Sequence, residues 1–123
     1  MKMLLSIHPD YMESIFQGVK LYELRKTRCK NEVSGIIFYV TAPTKCVIGE
    51  ALIGDVLEGR IEDVWHQVKG HAGISYEFYK QYYKGKKKAI AYLLKDVKRY
   101  DIPRALEHYG LSCPPQSFVY VDD

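Results

Sequence analysis

Apolar and polar positions change period several times along the chain, and each change marks an element. Leu4, Leu5 and Ile7 form a short apolar run that predicts a strand. Pro9 suits the first turn of a helix, Met12, Ile15 and Phe16 follow at helical spacing, and Gly18 supplies a stop. Residues 21–27 alternate as a strand does, with Tyr22 and Leu24 on one face and Glu23 and Arg25 on the other. The near-continuous run Ile36-Ile37-Phe38-Tyr39-Val40, within 35–41, predicts a strand buried on both faces. Residues 46–57 give another strand, with Gly49 and Gly54 at bulge or bend positions. Ile61, Val64, Trp65 and Val68 stripe one face of a helix that Gly70 and Gly73 end. Ser75 can cap a further helix through Tyr83, closed by Gly85. Residues 88–97 read as a strand, 101–109 as a short helix and 117–121 as a last strand. Sequential strands with so few crossover helices predict an α+β chain built on a mainly antiparallel, curved sheet or small barrel, not a parallel doubly wound sheet. A length of 123 residues fits one domain over 1–123.

Composition adds little beyond a globular class, but charge is unevenly spread. Residues 1–30 carry six basic and three acidic side chains, residues 31–79 three and seven, residues 80–104 nine and two, and residues 105–123 none and three. If the fold joins the two basic blocks, they make a surface for phosphates; otherwise Lys84 to Lys88 form only a solvated turn. Cys29, Cys46 and Cys113 are scattered and odd in number, which supports neither a zinc site nor a disulfide framework. His66 and His71 stand five apart, the wrong spacing for one helical face, and His108 has no sequence partner. No metal and no cofactor is expected. The apolar run at Met3–Ile7 is too short for a secretory leader or a membrane span, so a cytoplasmic, reducing location and no membrane partner are expected.

The stretch Gly18-Val19-Lys20-Leu21-Tyr22-Glu23-Leu24-Arg25-Lys26 holds the most chemistry. Glu23 and Arg25 share a strand face, and a carboxylate and guanidinium turned inward are costly unless they pair or meet a polar ligand. Both a structural ion pair and a ligand-binding floor satisfy that demand. Tyr76, Phe78, Tyr79, Tyr82 and Tyr83 crowd one helix, either as core or as a stacking surface for bases.

Gly18-x-Lys20-x-x-Glu23-x-Arg25 resembles the G-x-K-x-x-E-x-R signature of the ASCH family, whose fold is similar to the PUA domain. Leu5 to Tyr11 resembles that family's opening strand and proline-started helix, Tyr39 to Glu50 its central hairpin, and Phe78–Tyr100 and Pro114–Phe118 the end of short bacterial members. His8 stands where many relatives carry lysine. The resemblance implies a PUA-like β-barrel flanked by short helices, with a cleft between barrel and helices, and RNA or a nucleotide-like small molecule as partner. Lys20, Arg25 and Lys26 would contact phosphate or base edges, Glu23 would orient Arg25 or accept from a base amino group, and Ser6, His8, Tyr39, Thr41 and Lys45 would complete the rim. The alternative is a small hydrolase in the same cleft, with Lys20 and Glu23 as the reacting pair: an amidohydrolase on a modified nucleoside, or a ribonuclease. The family includes a small bacterial amidohydrolase that deacetylates N4-acetylcytidine, with a lysine, a threonine and a glutamate as its proposed machinery. Lys20 matches the lysine, Glu23 occupies the threonine position, and Glu77 is the nearest candidate for the glutamate. That exchange predicts poor turnover of N4-acetylcytidine. A third possibility is a protein-interaction module with a vestigial cleft.

Overall fold

The computed structural model describes residues 1–122. Its elements are β1 (Lys2–Ile7), α1 (Pro9–Phe16), β2 (Tyr22–Arg25), β3 (Gly35–Val40), β4 (Cys46–Arg60), α2 (Ile61–Val68), α3 (Tyr76–Tyr82), β5 (Lys88–Arg104), a 3-10 turn (Leu106–Tyr109) and β6 (Phe118–Val121). The six strands form one mixed sheet in the order β2-β5-β4-β3-β1-β6. Only β1 and β3 run parallel; the other pairs are antiparallel.

The α+β, mainly antiparallel sheet is as expected, but among the described residues it does not close into the barrel that the family resemblance implies. β2 and β6 are the two edges of the sheet, and no ladder joins them. Side chains bridge the gap instead. Arg25 Nη2 donates to Ser6 O across 3.4 Å, and the backbone N–H groups of Lys30 and Asn31 donate to the Tyr120 hydroxyl at 2.9 and 3.1 Å. The sheet therefore curls far enough for its first strand to approach β1 without closing the backbone ladder.

Burial follows the alternation read from the chain. β3 is buried along its whole length: Ile36, Phe38 and Val40 enter one core cluster with Leu5, Ile7 and Met12, while Ile37 and Tyr39 enter another with Leu4 and Val47. Tyr22 and Leu24 of β2 pack instead with Val64, Val68, Tyr79 and Tyr83 under α2 and α3. The β4–β5 register shifts beside Gly49 and across Gly54, the two glycines expected at bulges. At Gly49 the reason is proximity: a Cβ there would meet Lys98 O at 2.7 Å and the Phe16 ring at 2.9 Å.

The helix expected over 101–109 is a second correction. β5 continues to Arg104, which pairs with Val47, and only Leu106–Tyr109 turns. Ladder bonds to β4 outweigh the weak local helical preference of this stretch. Pairing with β5 likewise extends β4 to Arg60, beyond the expected end at Leu57. No helix among the described residues is long and apolar enough to cross a membrane.

Candidate functional site

The site begins where α1 hands the chain to β2. Gly18 adopts φ +78, a left-handed conformation that lets the chain turn back after α1. The backbone N–H groups of Val19 and Lys20 then both donate to Ser14 O. Leu21 is fixed by its neighbours, donating to His71 O at 2.8 Å and accepting from the Leu94 N–H at 2.9 Å. This anchoring sends Lys20 inward and starts β2 in a register that faces Glu23 and Arg25 away from the Tyr22/Leu24 side.

Lys20 and Glu23 are buried, at 4% and 7% exposure. Lys20 Nζ donates to Ala72 O at 2.6 Å and lies 5.5 Å from the Tyr11 ring centroid. Its stem runs beneath Gly73, which has φ +75; a Cβ there would come within 2.9 Å of the lysine's Cγ and Cδ. Glycine is thus needed twice over, for the backbone and for the space. Glu23 Oε2 accepts from Arg25 Nε at 3.0 Å and Nη2 at 2.9 Å. The inward pair read from the sequence is therefore made, and Arg25 also reaches the β1 backbone.

Burial pushes the Lys20 ammonium below its ordinary value of 10.5; Glu23 opposes that shift and Arg25 adds to it. A lysine depressed in the folded state contributes stability that is present above its unfolded pKa and lost as pH falls through the folded one. The stability of the wild-type protein relative to Lys20→Met should therefore rise with pH as 10.5 is approached from below. Urea denaturation between neutral and alkaline pH measures it; a difference independent of pH would show that burial leaves Lys20 unperturbed.

Around this polar floor lies a pocket of about 200 Å³, lined by Ser6, Ile7, His8, Tyr11, Lys20, Glu23, Leu24, Arg25, Ile74, Phe78 and Tyr82. Of the residues singled out in the sequence, Ser6, His8, Lys20, Glu23 and Arg25 are brought together here. Ser6 Oγ is already engaged, donating to Pro115 O at 2.8 Å. His8 caps α1 by accepting at Nδ1 from the Asp10 N–H, which leaves Nε2 as its second polar atom.

Lys26, Tyr39, Thr41 and Lys45 do not line the pocket. Lys26 is exposed just outside it, with Nζ 4.7 Å from the ring centroid of the lining residue Tyr82. Tyr39 alternates with Phe38, so its ring is buried in the Leu4/Ile37 cluster, beside Ser6 in register on β1. Thr41 and Lys45 flank the turn after β3. Glu77 is exposed on α3 and also lies outside the lining. The aromatic stripe of α3 divides: Tyr79 and Tyr83 are core, while Phe78, half exposed, and Tyr82 form a pocket wall. Tyr11, Ile74 and the Ala72–Gly73 loop were not foreseen. The glycines of that loop are visible in the sequence as a helix end, but nothing local says that the loop folds over Lys20. No group of His, Cys, Asp or Glu among the described residues could hold a metal ion.

The chain is thus an α+β domain on a mixed six-stranded sheet, with Lys20 and Glu23 buried and Arg25 half-buried beside a pocket. The ASCH domain family matches residues 5–103, and the chain belongs to that family. The ASCH domain-containing ribonuclease of Zymomonas mobilis is 29% identical over 121 residues, covering 95% of this chain and 82% of that protein. The crystal structure of ASCH from Zymomonas mobilis superposes with a TM-score of 0.87 at 28% identity, over 98% of this chain and 87% of that one. The large ribosomal subunit protein uL22 of Ureaplasma parvum is 33% identical over 119 residues, 96% of this chain; the chain spans 38% of that relative's length.

Proposed function

We propose that this chain is an RNA-binding ASCH domain whose pocket receives one unstacked base. The observation that carries this reading is the pairing of a floor of buried Lys20 and Glu23 and half-buried Arg25 with a wall of Tyr11, Phe78 and Tyr82. Single-stranded RNA is recognised by splaying bases out, stacking them on aromatic rings and bonding their edges. A volume of about 200 Å³ is below the roughly 300–1,000 Å³ of pockets that enclose drug-sized ligands, so it suits one ring system rather than a whole nucleotide. Lys20 and Arg25 address base edges in this arrangement, not phosphates, because both are already committed inside the fold. Glu23 can accept from a base amino group, and His8, exposed and lining the pocket, offers Nε2. The membership in a family with a ribonuclease-named relative supports an RNA ligand.

The test is RNA binding by Phe78→Ala and Tyr82→Ala. Each should lose about 1–3 kcal/mol of affinity for single-stranded RNA, the worth of one base–aromatic stack. Unchanged affinity in both folded variants would remove the pocket from consideration as the base site. A second reading, RNA cleavage at the same place, is favoured by the coincidence of a lysine with lowered pKa beside a carboxylate. Lys20 and Glu23 are its reacting pair, and loss of cleavage in Lys20→Met with binding retained would distinguish it from simple binding.

A further inference from the structure

The pocket leaves one demand of an RNA ligand unmet: its cations are internal, and the phosphates on either side of a bound base need others. We infer that the RNA strand leaves the pocket over Tyr82 and runs along a basic ridge formed by Lys26, Arg28, Lys86, Lys87 and Lys88. The inference rests on the base-pocket reading and adds to it the path of the backbone.

Sheet register builds the ridge. β2 and β5 are antiparallel, with Arg25 opposite Ile90, so the residues that follow β2 lie beside those that precede and open β5. Two blocks far apart in sequence are thereby juxtaposed. Glu58, which stands opposite Ile90 on the other side of β5, ties them together: it pairs with Arg28 at 3.1 Å and with Lys88 at 3.7 Å. The turn before β5 is held by the Lys86 N–H donating to Tyr83 O at 2.9 Å, one residue beyond the pocket-lining Tyr82. Lys26 lies over the Tyr82 ring, so one aromatic side chain borders both the pocket and the first cation of the ridge.

The charge balance favours a polyanion. All five cationic residues are exposed, and Glu58 is the carboxylate that pairs with members of the group. Lys86 and Lys87 make no ion pair among the described residues, so their charges are open to solvent. Cations gathered within about a Debye length of one another reinforce a common field along one line, as a phosphate backbone requires. The alternative of a merely solvated lysine turn accounts for Lys86 and Lys87 but not for the convergence of Lys26 and Arg28 from the segment after β2.

The experiment compares a single-stranded oligoribonucleotide, the four ribonucleoside monophosphates and heparin as ligands of the whole chain across a salt series. The variant is Lys86→Gln with Lys87→Gln, exposed positions away from the pocket, checked for folding by thermal melting. The double variant should weaken oligonucleotide binding and lower its log–log salt slope by about 1.4, at about 0.7 per lost contact on a single strand. Monophosphate binding should stay as in the wild type. Unchanged oligonucleotide affinity and slope, with monophosphates still bound, would overturn the ridge and leave the pocket reading standing. Weakened oligonucleotide binding in a protein that binds no monophosphate would keep the ridge and overturn the pocket reading. Heparin binding as tight as RNA binding, weakened equally by the variant, would mark a nonspecific polyanion surface and overturn the proposal.

Discussion

Arg25→Ala should destabilise the protein by about 3 kcal/mol or more, the low end of the cost of breaking a buried ion pair from one side. Glu23 is 7% exposed and takes two bonds from the guanidinium. Once Arg25 is gone its carboxylate stays desolvated. Lys20 is the remaining cation beside it, but its Nζ is held by Ala72 O and its charged form is itself disfavoured by burial. The variant also loses the Arg25–Ser6 bond that bridges β1 and β2 where the sheet does not close. Adding Glu23→Gln to the Arg25→Ala background should recover most of the loss, because a neutral amide costs far less to bury than an unpaired carboxylate. Urea denaturation of the wild type, both single variants and the double variant completes the cycle. A cost below about 1 kcal/mol for Arg25→Ala would put the pair in the class of exposed salt bridges and contradict the burial of Glu23.

The legible parts of the site were those that strand alternation dictates. Glu23 and Arg25 had to share a face because they are two residues apart, and once β2 was assigned their pairing followed from the cost of burying either alone. Gly18 marked the turn that aims Lys20 inward. What stayed hidden depends on contacts between distant segments. The Ala72–Gly73 loop over Lys20 is set by the Leu21–His71 backbone bond, and no local pattern at residues 70–74 announces it. The same holds for Tyr39: the sequence pattern offered a tyrosine on a hairpin, but its parity with Leu4 and Ile37 turns the ring into another cluster. Fold class was readable from the order of elements, whereas closure was not. Whether a curled sheet closes depends on whether its two edge strands meet, and the edges here, β2 and β6, lie near opposite ends of the chain. The end of β5 has a related cause: residues 100–103 lie between the rungs that join Arg99 and Arg104 to β4, and that distant pairing is not written in their own side chains.

The other large effect falls on Tyr83, which no pocket-centred reading would single out. It is 1% exposed and packs edge-on against Tyr79 and Tyr82, each at 4.8 Å between centroids. Its hydroxyl lies 2.9 Å from Arg25 O and 3.2 Å from Ile90 O, placed to donate to either carbonyl. Burial pushes its ionisation above the ordinary tyrosine range. One side chain thus joins the end of α3 to β2 and β5 at the level of the Glu23–Arg25 pair. Tyr83→Ala should cost about 3–5 kcal/mol through the cavity it leaves. Tyr83→Phe keeps the packing but removes the one hydroxyl that can donate to either carbonyl, and should cost about 1–3 kcal/mol. The functional consequence separates the two roles. Tyr82 and Phe78 stand on the same short helix, so loosening its anchor should weaken RNA binding in Tyr83→Phe even though Tyr83 touches no ligand. Thermal melting and RNA titration on the same samples, at a temperature where the variant is fully folded, read both effects. A Tyr83→Phe protein that loses stability but binds RNA as tightly as the wild type would show that the aromatic wall holds its place without this bond.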